Sequence, residues 1–94
     1  MDESVIRSSG NVFEDLGFDR EEAEHLKIRA DLMIQLRRYI RDAGLTQTQA
    51  AIQFGVTQPR ISDLVRGKIE LFSIDGLIEM AGRAGMKVKV ELEQ

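Results

Sequence analysis

The chain is 94 residues long, carries a formal net charge of −3, and has 43% apolar and 31% charged residues with no cysteine. That length makes one domain with a modest core, and the absence of cysteine excludes a disulfide framework or a thiolate metal site. No apolar run approaches the roughly 18 residues of a membrane span and no charged-then-apolar leader opens the chain, so a cytoplasmic protein without membrane contact is the expectation.

Residues 1–18 read as an acidic N-terminal segment. Its first ten residues, MDESVIRSSG, are polar, contain Ser-Ser-Gly, and are expected to be mobile. Asn11 to Phe18 then supplies Val12, Phe13, Leu16 and Phe18, enough apolar surface to dock on something. From residue 19 to 94 the chain reads as one helical domain. A long helix starts near Asp19, with Asp19, Glu21 and Glu22 favourable at its positive end, and runs to Ala43 before Gly44. Its apolar residues, Leu26, Ile28, Ala30, Leu32, Met33, Leu36, Tyr39 and Ile40, form a stripe broader than one packed face needs. Such width fits a second packing surface as well as a wide core face in a small bundle.

Leu45 to Lys68, LTQTQAAIQFGVTQPRISDLVRGK, reads as two short helices joined by a tight turn. Thr46 is a good N-cap for the first. Ala50, Ala51, Ile52 and Phe54 supply its small and apolar side chains, and the paired alanines permit a close helix crossing. Gly55 follows the last apolar residue, where a left-handed residue ends a helix. Val56 turns inward and Thr57 caps the second helix. Pro59 sits in the first turn, where a missing N–H costs little. Ile61, Leu64 and Val65 form a buried stripe at i, i+3 and i+4, and Gly67 ends the helix. Two capped helices with a polar outer face on the second have the sequence form of a DNA-reading helix-turn-helix. Ser73 then caps a further helix from Ile74 to about Ala84, with Leu77, Ile78 and Ala81 inward and Gly85 at its end.

The tail MKVKVELE alternates Met86, Val88, Val90 and Leu92 with Lys87, Lys89, Glu91 and Glu93, the period of a half-buried strand. A lone strand leaves its backbone unpaired and therefore needs a partner. Antiparallel pairing of Lys87, Val88, Lys89, Val90, Glu91 and Leu92 with the same strand of a second copy, centred on Val90, sets Val88 opposite Leu92. It also sets Lys89 opposite Glu91 and Lys87 opposite Glu93. Each such charge pair contributes ~0.2–1 kcal/mol. The rival partner is Ser4-Val5-Ile6-Arg7 from the N-terminus. The expected fold is mainly α: a compact helix-turn-helix bundle of about four to five helices with a short C-terminal β-strand pairing across a dimer.

Charge is unevenly spread. Residues 1–24 hold eight acids and two bases, residues 25–68 eight bases and three acids, and residues 69–94 three bases and five acids. The basic third is the one that contains the helix-turn-helix, as phosphate neutralisation requires.

Gln47, Ala51, Gly55-Val56, Gln58, Ile61-Ser62, Leu64 and Gly67-Lys68 resemble the XRE (Cro/phage-repressor-like) helix-turn-helix family. Together with NVFEDLGF near the start, FSIDGLIEM and the terminal strand, they resemble small HigA-type antitoxins of bacterial toxin–antitoxin operons, over roughly residues 11–92. In the XRE pattern the position of Gln58 commonly reads a base, and a Gln amide fits adenine N6 and N7 in the major groove. Pro59, Arg60, Ser62 and Asp63 share the outward face and are the other candidate base contacts. Asp63 has a second reading, an ion pair with Arg60 or Arg66. Gln47 resembles the family's phosphate clamp at the amide end of its helix. Thr46, Thr57, Arg66 and Lys68 complete the candidate phosphate contacts. Lys27, Arg37, Arg38 and Arg41 read mostly as solvated surface of the long helix.

The resemblance implies a sequence-specific double-stranded DNA-binding repressor, a homodimer on a palindromic operator, that autoregulates its operon and neutralises its toxin. The toxins of such operons are usually basic RelE-like ribonucleases, and Phe13, Leu16 and Phe18 on the acidic N-terminal segment are the candidate toxin-facing anchors. Many antitoxins carry a long disordered toxin-binding tail; here the toxin contact is expected instead at the N-terminus or on the folded domain. The alternative is a stand-alone XRE or phage-type regulator with no toxin partner. No phosphate loop, nucleophile elbow or metal triad appears, and His25 stands alone among Glu22, Glu24 and Arg29. No enzymatic activity, metal or cofactor is expected.

Overall fold

A computed structural model describes residues 11–93. Its elements in chain order are α1 (Val12–Asp15), α2 (Arg20–Asp42), α3 (Gln47–Phe54), α4 (Gln58–Val65), a 3-10 turn (Ile69–Leu71) and α5 (Ile74–Arg83). Each helix start is set by a short polar side chain. Asn11, Asp19, Thr46, Thr57 and Ser73 all adopt extended backbone and accept hydrogen bonds from amides of the following turn. At α3 the arrangement is reciprocal: the Gln49 amide donates to Thr46 Oγ1 (3.1 Å), and the Thr46 amide donates to Gln49 Oε1 (2.9 Å).

The core lies between the C-terminal half of α2 and the three following helices. Met33, Leu36 and Ile40 of α2 meet Ala50, Ala51 and Phe54 of α3, Ile61 and Leu64 of α4, Phe72, and Leu77, Met80 and Ala81 of α5. The paired alanines of α3 are both buried, which lets α3 pack closely on α4 and α5. Tyr39 and Phe54 stack at 5.9 Å, and the Tyr39 hydroxyl donates to Gln53 Oε1 at 2.7 Å. At the other end of α2 only Ala23 is buried, beneath α1. No described helix is long and apolar enough to cross a membrane.

Two expected core positions prove to be surface. Ile52 is 76% exposed because α3 is covered on one side only, by the face carrying Ala50, Ala51 and Phe54. Ile78 is also exposed, its inward place taken by Met80. The predicted terminal strand is not found among the described residues. Met86 and Val88 do pack on the core, and Lys87 and Lys89 face outward, so the alternation holds as far as Val88. Beyond it Val90 and Leu92 are exposed. A strand exists only with a hydrogen-bonded neighbour, and no described segment supplies one. The rival partner Ser4–Arg7 and the expected mobility of residues 1–10 lie outside the described residues.

Candidate nucleic-acid interface

The turn between α3 and α4 is three residues, Gly55-Val56-Thr57, and one of them could not be replaced freely. Gly55 has φ +70°, the left-handed conformation in which its amide closes the end of α3 onto the Ile52 carbonyl. An added Cβ would come within 2.7 Å of Arg83 Cδ. The Arg83 guanidinium crosses from α5 and donates to the Gly55 carbonyl at 3.4 Å, so the turn is held from below as well as by its own backbone.

Thr57 then starts α4, accepting from the Arg60 amide at 3.3 Å. Ile61 and Leu64 are fully buried and fix the helix against the core, with Val65 half-buried beside them. The opposite face carries Pro59, Ser62, Asp63 and Arg66, which follow one another at i, i+3, i+4 and i+7. Gln58 and Pro59 are exposed at the helix start, Ser62 and Asp63 half-buried, Arg66 and Lys68 exposed at its end. Asp63 makes no ion pair with Arg60 or Arg66 among the described residues. Its carbonyl accepts the Lys68 amide and so helps close the end of α4.

The two helix starts differ chemically. At α3 the Gln49 and Ala50 amides are satisfied by Thr46, which leaves those of Gln47 and Thr48 for an outside acceptor. At α4 the second residue is Pro59, which has no N–H, and the Arg60 amide is capped, so only the Gln58 amide remains. The start of α3 is therefore the better seat for a phosphate oxygen. Thr46 and Thr57 are exposed, but both side-chain oxygens already serve as caps.

Two arginines hold this surface in ways the sequence did not disclose. The Arg60 guanidinium lies over the buried Phe72 ring, 4.3 Å from its centroid, a contact that contributes roughly 0.5–2 kcal/mol. Stacking fixes the plane of the guanidinium and leaves its in-plane N–H groups available. Arg29 reaches from α2 to donate to the carbonyls of Ile69 (3.3 Å) and Phe72 (3.2 Å), while its Nε is buried without a partner among the described residues. It ties α2 to the connection that carries Phe72, and through that ring it supports Arg60. Of the basic residues counted toward a DNA face, Arg29 is thus engaged internally. One signal for this was present in the sequence: Arg29 continues the seam of Met33, Leu36 and Ile40 at helical spacing, and a cation in a buried seam must find acceptors.

The N-terminal candidates sit elsewhere. Phe13 is half-buried and meets Phe18 edge-on at 6.2 Å, whereas Leu16 (69%) and Phe18 (41%) stay exposed. His25 is exposed, and among the described residues no group of acidic or histidine side chains could hold a metal.

Residues 12–93 match a family model described as a helix-turn-helix domain. No curated protein matches the chain significantly. Among solved structures, a chain bearing the name of an XRE family transcriptional regulator superposes with a TM-score of 0.71. The two are 29% identical, over 78% of this chain and 82% of that one.

Proposed function

The chain belongs to the helix-turn-helix domain family, and on that premise we propose that it is a sequence-specific double-stranded DNA-binding transcriptional repressor. The observation that carries this reading is the outward face of α4, polar and with Gln58, Pro59 and Arg66 exposed, while Ile61 and Leu64 on the opposite stripe are fully buried. Gln58 reads adenine at the start of the helix, and Pro59, Ser62 and Asp63 meet neighbouring base edges in the major groove. Arg60, with its plane set by Phe72, presents a flat fork to guanine or to phosphate. Gln47 and the free amides at the start of α3, with Thr46, Thr57, Arg66 and Lys68, hold the backbone and set the register.

The functional unit in this reading is a homodimer on a palindromic operator, its tails paired antiparallel through Lys87–Leu92. Support comes from the tail itself, where Met86 and Val88 are packed and the next two apolar residues of the same series, Val90 and Leu92, are 66% and 95% exposed. The repressor serves as an antitoxin of the HigA type, in a bacterial cytoplasm, with a basic RelE-like toxin as partner. Exposed Leu16 and Phe18 beside Glu14, Asp15 and Asp19 give that partner apolar anchors within an acidic surround.

Selection of bound duplexes from fragments of the source genome tests the reading. A palindrome with half-sites about one turn (~34 Å) apart, upstream of the chain's own gene and beside a short basic reading frame whose product co-purifies, is the expected result. A palindrome without such a frame would leave a stand-alone regulator. Binding that follows salt but not sequence would end the repressor reading.

A further inference from the structure

The groove between the C-terminal half of α2 and the end of α4 carries charge that the recognition surface does not use. It is open, and lined by Ile34, Arg37, Arg38, Ile40, Arg41 and Val65. Three guanidinium groups within five residues of one helix are costly in isolation, and Arg37 and Arg41 stand at i, i+4, a like-charge spacing that destabilises a helix. Little in the described part of the molecule offsets this. Arg41 meets only its neighbour Asp42 at 3.1 Å, both side chains well exposed, where such pairs contribute little. Arg37 and Arg38 make no hydrogen bond or ion pair among the described residues. The groove is also continuous with α4. Val65 is part of its wall, and an Arg37 amino group lies 3.8 Å from where a Cβ on Gly67 would stand, at the turn that carries Arg66 and Lys68.

We infer that Arg37, Arg38 and Arg41 form a second phosphate-binding surface that grips the DNA backbone past the C-terminal end of the recognition helix. This rests on the DNA-binding reading above and extends it from the helix-turn-helix to the long helix. Each guanidinium offers a planar fork that fits two phosphate oxygens. The apolar floor of Ile34, Ile40 and Val65 supports the aliphatic stems while the charged heads stay at the rim. An open trough of one sign suits a continuous anionic backbone, and its continuity with Arg66 and Lys68 makes one basic track from α4 onto α2.

The test is the salt dependence of operator binding by the full chain, comparing wild type with Arg37→Gln, Arg38→Gln and Arg41→Gln, singly and together. Arg20→Gln serves as the control, since it removes the same charge about 25 Å away along α2. Each substitution removes two guanidinium groups from the operator-bound dimer, and is expected to reduce the slope of log K against log salt by about 1.8 and to weaken binding about thirtyfold at roughly 0.15 M salt. Base preference stays as in wild type, and Arg20→Gln changes neither quantity. Thermal unfolding of the triple variant is expected to be unchanged or later, because mutually repelling charges are gone. A triple variant that binds the operator with the wild-type slope overturns the inference while leaving the DNA-binding reading intact. A lowered Tm with an unchanged slope overturns it in favour of a structural role. Absence of sequence-dependent binding in the wild type itself would remove both readings at once.

Discussion

The two halves of α2 lie in opposite surroundings. From Met33 to Ile40 its inward residues are at most 8% exposed and close against α3, α4 and α5, whereas its first half buries Ala23 alone, under a helix of four residues. Around that first half Val12, Leu16, Phe18 and Ile28 are all exposed. One helix thus belongs to two kinds of structure. The C-terminal half is the rigid back wall of the recognition surface, complete within one chain. The N-terminal half ends in apolar surface left uncovered among acids, the composition of a docking face. A single rod of roughly 34 Å separates the closed end from the open one.

Substitutions should divide along the same line. Phe54→Ala opens the centre of the complete half and is expected to lose about 3–5 kcal/mol, a fall in Tm on the order of 20 °C, read by thermal circular dichroism. Arg29→Met strands the Ile69 and Phe72 carbonyls and removes two charge-assisted hydrogen bonds, with an expected loss of about 1.5–3 kcal/mol in chemical denaturation. A loss under half a kcal/mol would mean that the tie between α2 and the connection is ornamental.

Gly55→Ala is smaller and sharper. The left-handed backbone costs an alanine about 1–2 kcal/mol, and the 2.7 Å approach to Arg83 adds to it. Repeating the substitution in an Arg83→Ala background separates the two, since strain alone gives the same loss in both backgrounds. Smallest of all is Leu16→Ser at the open end, where less than about 0.5 kcal/mol should be lost and operator binding should not change. A loss above about 2 kcal/mol would break the comparison, because α1 would then be part of a closed core.

Local chemistry was what the sequence made legible. Thr46, Thr57 and Ser73 cap the helices they were expected to cap, the long helix starts beside Asp19 as expected, and Gly55 takes the left-handed conformation its position demanded. Ile61 and Leu64 are buried as their spacing required. These features are set by neighbours within a turn, so a single chain read in order contains them. What escaped depends on residues far apart. Arg29 finds its acceptors 40 and 43 positions away, Arg60 rests on a ring across the α4–α5 connection, and the arginines of α2 become a groove only because α4 ends beside them. The tail shows the same limit from the other side, since a period-2 pattern records a strand's preference but not its partner. Ile52 is apolar yet stands on the side of α3 that nothing covers, and composition alone does not say which side that is.

The most direct measurement is the binding of Gln58→Ala to the selected operator and to variants of it at each base pair, at one fixed salt concentration. Contact between the start of α4 and a base predicts a loss of about 1–3 kcal/mol with relaxed preference at one symmetric position in each half-site, and an unchanged salt slope. Equal weakening on every sequence, or binding indistinguishable from wild type, would contradict the assignment of α4 as the helix that reads the DNA.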